Sequence, residues 1–200
     1  MGITRVSATM LLWMISCVLC PMAQGQWRVG ATVGSERFWG GSEDAAAEGP
    51  SFRPYRPTSF GFGLSRGAGK WGAGVSIRYL SASLALEGEE GLVAVKGIFE
   101  VYGADVHLAY RVAHIAANEL TLETGPLFEV WSIQEEESQT RLGIQAGLSL
   151  RVPLGASLVG SLTGALAVIA SPFTESQLDS GFERRPLWRR RLAGGLELRL

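Results

Sequence analysis

Asp105 and His107 stand two residues apart, so on an extended strand both side chains point to one face and the carboxylate can orient the imidazole. With Ser149 or Ser76 as nucleophile, that pairing would be the equipment of acyl transfer. Nothing in the sequence brings either serine within reach of His107, and the simpler reading is a histidine held inside a network of charges. His114 falls in a connection and is expected to do no chemistry. There is no Cys/His metal cluster and no glycine loop with a lysine to cradle phosphate, so neither a cofactor nor an enzymatic activity is expected.

Guanidinium chemistry is better represented. Of 18 basic residues only Lys70 and Lys96 are lysine, a bias that suits fixed, hydrogen-bonded ion pairs. Five arginines, Arg184, Arg185, Arg189, Arg190 and Arg191, gather within eight positions. Arginine binds phosphate bidentately, and its long stem can lie along an apolar surface while the head reaches out.

The elements that must position these groups show a period of two, the signature of strands with one apolar and one polar face. In the last stretch Trp188, Leu192, Leu196, Leu198 and Leu200 share one parity with Arg190 and Gly194, while Arg189, Arg191, Glu197 and Arg199 share the other. Earlier strands read from Trp27 to about Phe38, from Phe60 to Leu64 and from Trp71 to Tyr79. A fourth is clearest from Tyr102 to Val112, and parity breaks around Lys96 and Phe99 suggest a bulge before it. The fifth, sixth and seventh run from Leu120 to Val130, from Arg141 to Val152 and from Leu158 to about Ala170. Between them lie expected long loops at Gly40 to Pro57 and Ser171 to Leu187 and loops at Glu87 to Gly91 and Glu135 to Glu137. Tight turns are expected at Arg66 to Lys70 and Pro153 to Ser157, and a connection of middling length at Ala113 to Glu119.

Ahead of these strands, Arg5, the apolar run Met10 to Leu19 and Ala23-Gln24-Gly25 have the three regions of a secretory signal peptide, placing residues 1–25 in a leader cleaved before Gln26. A membrane anchor is disfavoured because the apolar run is shorter than the roughly 20 residues a spanning helix needs. Met14-Ile15-Ser16-Cys17 is an imperfect lipobox, which keeps a lipoprotein in view. Both cysteines, Cys17 and Cys20, leave with the leader. Losing Arg5 leaves 17 basic residues against 19 acidic, a net charge of −2 with histidine neutral, which speaks against a nucleic-acid partner.

Residues 26–200 are therefore expected to form one all-β domain, an eight-stranded antiparallel up-and-down transmembrane β-barrel whose last strand closes on the first and removes the sheet edges. With the N-terminus periplasmic, both longest loops face outward, as small membrane barrels prefer. Aromatic girdles are expected from Trp27, Trp71 and Tyr110 at the inner ends and from Phe60, Trp131, Phe173 and Trp188 near the outer ends. The whole of this pattern resembles the small eight-stranded outer-membrane barrel proteins of the OmpA/OmpX-like class. The resemblance implies location in the outer membrane and contact with its lipid. It also implies recognition by the barrel assembly machinery, for which Gly195, Leu198 and Leu200 resemble the class's C-terminal signal, with leucine in place of the usual aromatic at the end. A soluble lipocalin-like carrier is the competing barrel, since alternation alone does not say which face is inside.

If the apolar parity meets lipid, the lumen receives Arg28, Arg78, Asp105, His107, Arg111, Glu123, Glu129, Arg141, Gln145, Arg151, Glu197 and Arg199. An eight-stranded barrel is just wide enough for side chains to fill, and buried charges must pair. The expectation is a charge-plugged lumen, without an open pore, in a protein with a structural or surface-contact role and no identifiable extracellular partner. The cluster Arg184, Arg185, Arg189, Arg190 and Arg191 is expected either to contact lipopolysaccharide or to pair with Glu175, Asp179 and Glu183 in a solvated loop.

Overall fold

A computed structural model describes residues 25–44, 51–88, 91–133, 138–171 and 182–200, with side chains described for 25–40, 57–83, 100–132, 138–171 and 185–200. Residues 1–24 of the expected leader, with both cysteines, lie outside the described residues, as do Phe173, Glu175 and Asp179 and the side chains of Glu183 and Arg184.

Eight strands follow one another: β1 (Gln26–Asp44), β2 (Ser51–Ala68), β3 (Trp71–Gly88), β4 (Gly91–Ile115), β5 (Asn118–Ile133), β6 (Gln139–Pro153), β7 (Leu158–Ile169) and β8 (Phe182–Arg199). Each pairs antiparallel with the next, and β8 pairs with β1, so the sheet is a closed barrel. Closure matters physically because it satisfies the backbone groups of every strand without help from water. The stagger can be followed in register. Stepping from Glu36 to Arg191, Ala165, Gly147, Glu123, Ala109, Gly72 and Gly67 returns to β1 at Gln26, ten residues below the start. Such a stagger tilts the strands and brings residues far apart in sequence to one level of the lumen.

Alternation assigns the faces. Ile77, Leu142, Ile144, Leu192 and Trp71 lie among many large apolar side chains exposed on the outside, while the Arg- and Gly-bearing parity points in. This is the reverse of a soluble ligand-binding barrel. The inner girdle forms as expected, with Trp71 and Tyr110 in ring contact at 4.8 Å and the Arg66 guanidinium 4.9 Å over Trp27. Phe60 and Trp188 are exposed toward the other end. Trp131 corrects the girdle assignment: it is fully buried inside the barrel, because its parity is that of Glu129 and not that of Val130.

The strands are longer than the alternation indicates. Much of the loop expected at Gly40 to Pro57 is ladder, with Ser42 opposite Arg184 and Ser51 opposite Glu87. Likewise β8 begins at Phe182, inside the loop expected to reach Leu187. A ladder needs only backbone donors and acceptors, so it continues after the side chains stop alternating. Prolines are accommodated where pairing shifts: Pro57 falls in the irregularity between Tyr55 and Thr58. The bulge expected near Lys96 is present as a register shift opposite Ala82 to Leu84. At the other end all three connections are tight. Gly69-Lys70 turns with Gly69 at φ 61°, Ala116-Ala117 turns with Ala116 at φ 55°, and residues 154–157 make the third. The Ala113 to Glu119 connection is thus shorter than expected, since β4 and β5 extend into it.

Candidate functional site

The lumen is where the chemistry-bearing side chains meet, and it has two levels. Toward the end with the longer connections, Arg78 of β3 donates from Nη2 to Glu129 Oε1 of β5 at 2.7 Å, and its Nε lies 3.5 Å from Glu36 Oε1 of β1. Arg189 of β8 donates to the same Glu129 oxygen and places Nε 3.3 Å from Glu36 Oε2. Two carboxylates and two guanidiniums from four strands therefore form a closed quartet, all fully or almost fully buried. Arg191 approaches Glu36 Oε1 at 4.0 Å from below and donates to Thr32 Oγ1 at 2.9 Å.

An apolar layer adjoins this quartet. Trp131 donates its indole N–H to Glu129 Oε2 at 3.0 Å and meets Phe38 edge to face at 5.9 Å, while Arg189 lies 5.9 Å from the centre of the Phe38 ring. Leu80, Val101, Leu127, Ile169 and Leu187 are also buried on the lumen parities of their strands. These apolar residues lie beside outward-facing apolar neighbours, so the local sequence is apolar on both parities and hides the inner layer.

The second level lies toward the tight turns. Arg151 of β6 donates to Glu123 Oε1 at 2.6 Å, to both Glu197 oxygens at 3.2 Å and to Thr121 Oγ1 at 3.0 Å. Arg28 reaches Glu119 Oε2 at 3.3 Å, and Arg111 donates to the Gly69 carbonyl at 2.6 Å while standing 3.8 Å from Glu119. Arg199 is on the same face, directly across the ladder from Arg28. Arg141 lies instead at the level of the quartet, across the ladder from Glu129, and donates to Gln139 Oε1 at 2.9 Å. The second level is open. One cavity of about 120 Å³ is lined by Gln145, Ser149, Arg151 and His107 and extends to Arg78 and Arg191, and another of about 190 Å³ is lined by Arg28, Lys70, Arg111, Glu119 and Arg199.

His107 and Asp105 do meet, Nδ1 lying 3.0 Å from Oδ1, and the ring occupies space left by Gly74, where a Cβ would come within 2.6 Å of Nε2. Ser76, however, donates its hydroxyl to Asp105. The order is serine to carboxylate to imidazole, which leaves the serine unable to pass its proton to the histidine. Ser149 instead accepts from Thr163 at 3.0 Å. Of the assembly-signal residues, Leu198 and Leu200 are exposed and Gly195 is on the lumen parity.

The cluster expected at the lipid boundary divides. Arg189 and Arg191 are corrected to lumen residues, the first buried in the quartet and the second half-buried against Glu36, because they share parity with Glu197. Arg185 and Arg190 are exposed, and the Arg184 side chain lies outside the described residues. Sequence reading also passed over Glu36 and Glu119. Both lie on the polar parity of their strands, Glu36 two residues beyond Gly34 and Glu119 two before Thr121, so extending the alternation would have found them.

No family model and no curated protein sequence matches the chain. Solved structures do match in fold. Neisserial surface protein A aligns with a TM-score of 0.60 at 9% identity, over 86% of this chain and 96% of that one. The outer-membrane protein OprG from Pseudomonas aeruginosa aligns with a TM-score of 0.56 at 13% identity, over 88% and 96%. The fold is that of the small eight-stranded outer-membrane barrels.

Proposed function

We propose that this protein is an exported outer-membrane β-barrel with a charge-plugged, non-conducting lumen, serving a structural or surface-contact role without catalysis. The observation that carries the reading is the layered outer lumen, the Glu36/Arg78/Glu129/Arg189 quartet against Trp131 and Phe38, inside a wall whose exterior is apolar. A hydrated ion path needs water around mobile charge. A buried, mutually paired quartet against an apolar layer opposes it. Membrane lipid and the barrel assembly machinery are the partners this reading implies, and the ladders prolonged beyond the apolar belt supply the surface for contact. The serine to carboxylate order at Asp105 favours a structural histidine over a lipid-modifying one.

The test is electrical and biochemical. Protein purified from outer membranes should show heat-dependent gel mobility in detergent and no conductance steps in a planar bilayer. A stable open channel overturns the plugged lumen, and a soluble periplasmic protein overturns the membrane reading. His107→Ala should leave membrane lipid composition unchanged.

A further inference from the structure

The outer wall carries one feature that the lumen does not explain. Arg37 of β1 and Arg190 of β8 are direct partners across the closing seam, and both are exposed on the apolar outer face. Side chains so opposed stand about 5 Å apart at Cβ, where two like charges destabilise a sheet. Neither arginine has an ion-pair or hydrogen-bond partner among the described residues. Glu36, next in sequence to Arg37, is buried in the lumen against three other arginines and gives no relief. The immediate described surroundings are apolar: Leu166 flanks Arg190 on β7, and Leu192 follows two positions along the same face. One step further along the seam, Trp39 and Trp188 stack at 6.3 Å with their planes 12° apart, both exposed. Tryptophans of this kind mark the level of lipid headgroups in membrane barrels.

We propose that Arg37 and Arg190 form a clamp for the phosphate monoester of a membrane lipid, the charge type carried by lipopolysaccharide, at the headgroup level of the leaflet around the barrel's outer end. This rests on the membrane reading above. Two adjacent guanidiniums carry two positive charges. A phosphate monoester, with a charge of about −1.5 to −2 near neutral pH, matches them, whereas a phosphodiester headgroup supplies only one. Each guanidinium has a planar donor fork suited to phosphate oxygens, and one bound anion converts the cross-strand repulsion into a bridge that ties β1 to β8. The stacked Trp39 and Trp188 supply the amphipathic surface against which the sugar or glycerol part of the lipid rests. The clamp refines the lipid contact expected from the arginine cluster, replacing Arg189 and Arg191 with Arg37.

The full barrel is inserted into phosphatidylcholine vesicles holding a minor fraction of phosphatidic acid, phosphatidylglycerol or lipopolysaccharide. Lipid retained after mild detergent extraction is then measured by mass spectrometry. Heat-dependent mobility reports insertion separately, so failure to insert counts against the membrane reading and not against the clamp. Phosphatidic acid and lipopolysaccharide should be enriched over phosphatidylglycerol by about tenfold, the worth of one charge-assisted hydrogen bond, and R37Q/R190Q should abolish the difference. Lys70→Gln, at the opposite end, should leave it intact. Equal retention of monoester and diester lipids by the unaltered protein overturns the proposal, as does enrichment that survives R37Q/R190Q. Should the double variant fail to insert, R190Q alone must still lower the enrichment.

Discussion

The outer level of the lumen holds Glu36, Arg78, Glu129 and Arg189 in mutual contact against Trp131 and Phe38, and of these four Arg78 reaches a cavity of about 120 Å³, whereas at the inner level Arg151, Glu123, Glu197, Arg28 and Glu119 all border that cavity or another of about 190 Å³. Residue types and pair distances are alike at the two levels. Their surroundings differ, and that decides what each pair contributes. A pair that loses a partner where water can enter regains hydration, while one that loses a partner in a dry site leaves an uncompensated charge. The outer level should therefore act as a rigid plug, and the inner level as an adaptable one.

The largest expected effect comes from removing the carboxylate shared at the dry level. Glu129→Ala leaves Arg78 and Arg189 each without its shortest partner and should destabilise the barrel by about 3–5 kcal/mol, read as a lowered denaturant midpoint for loss of the fast-migrating folded band. A midpoint close to that of the unaltered protein would mean that water reaches the quartet, and the distinction between the two levels would fall.

Next comes Trp131→Ala, which removes the ring packed on Phe38 and the donor to Glu129, at an expected cost of about 3 kcal/mol. It sharpens the comparison in a second way. Opening the apolar layer should admit water to the quartet, so brief conductance events should appear in planar bilayers where the parent shows none.

At the inner level Arg151→Gln loses contacts to two carboxylates yet should cost only about 1–2 kcal/mol, since both Glu123 and Glu197 can turn to cavity water. A loss as large as that of Glu129→Ala would place both levels in the same dry environment. The smallest effect is expected for Glu119→Gln, whose partners Arg28 and Arg111 border the open cavity. A change of about 0.5 kcal/mol, shrinking further with added salt, is the signature of a solvent-screened pair.

Strand positions and face assignments were legible from the chain because alternation is a local property. In β6, Leu142, Ile144, Ala146, Leu148 and Leu150 oppose Arg141, Gly143, Gln145, Gly147 and Ser149 with no interruption, and those faces are the ones observed. Legibility failed where the local signal changes character. Around Gly40 to Pro57 the ladder persists without alternating side chains, and at Trp131 and Leu187 both parities are apolar, so the inner layer passed for girdle or loop. Arg189 and Arg191 were drawn into a surface cluster by their nearness to Arg190 in sequence, although strand geometry sends alternate neighbours to opposite sides of the wall.

By itself, then, the sequence determined an all-β chain of eight strands and which residues of each share a face, because a two-residue period needs no knowledge of distant partners. It also supplied the arginines and carboxylates that the lumen would have to pair. Which charge meets which was decided only by the tertiary structure. Glu36, Arg78, Glu129 and Arg189 come from four different strands, and the ten-residue stagger of the closed ladder sets them at one level. That stagger arises from closing a tilted sheet on itself, a constraint written in no single strand.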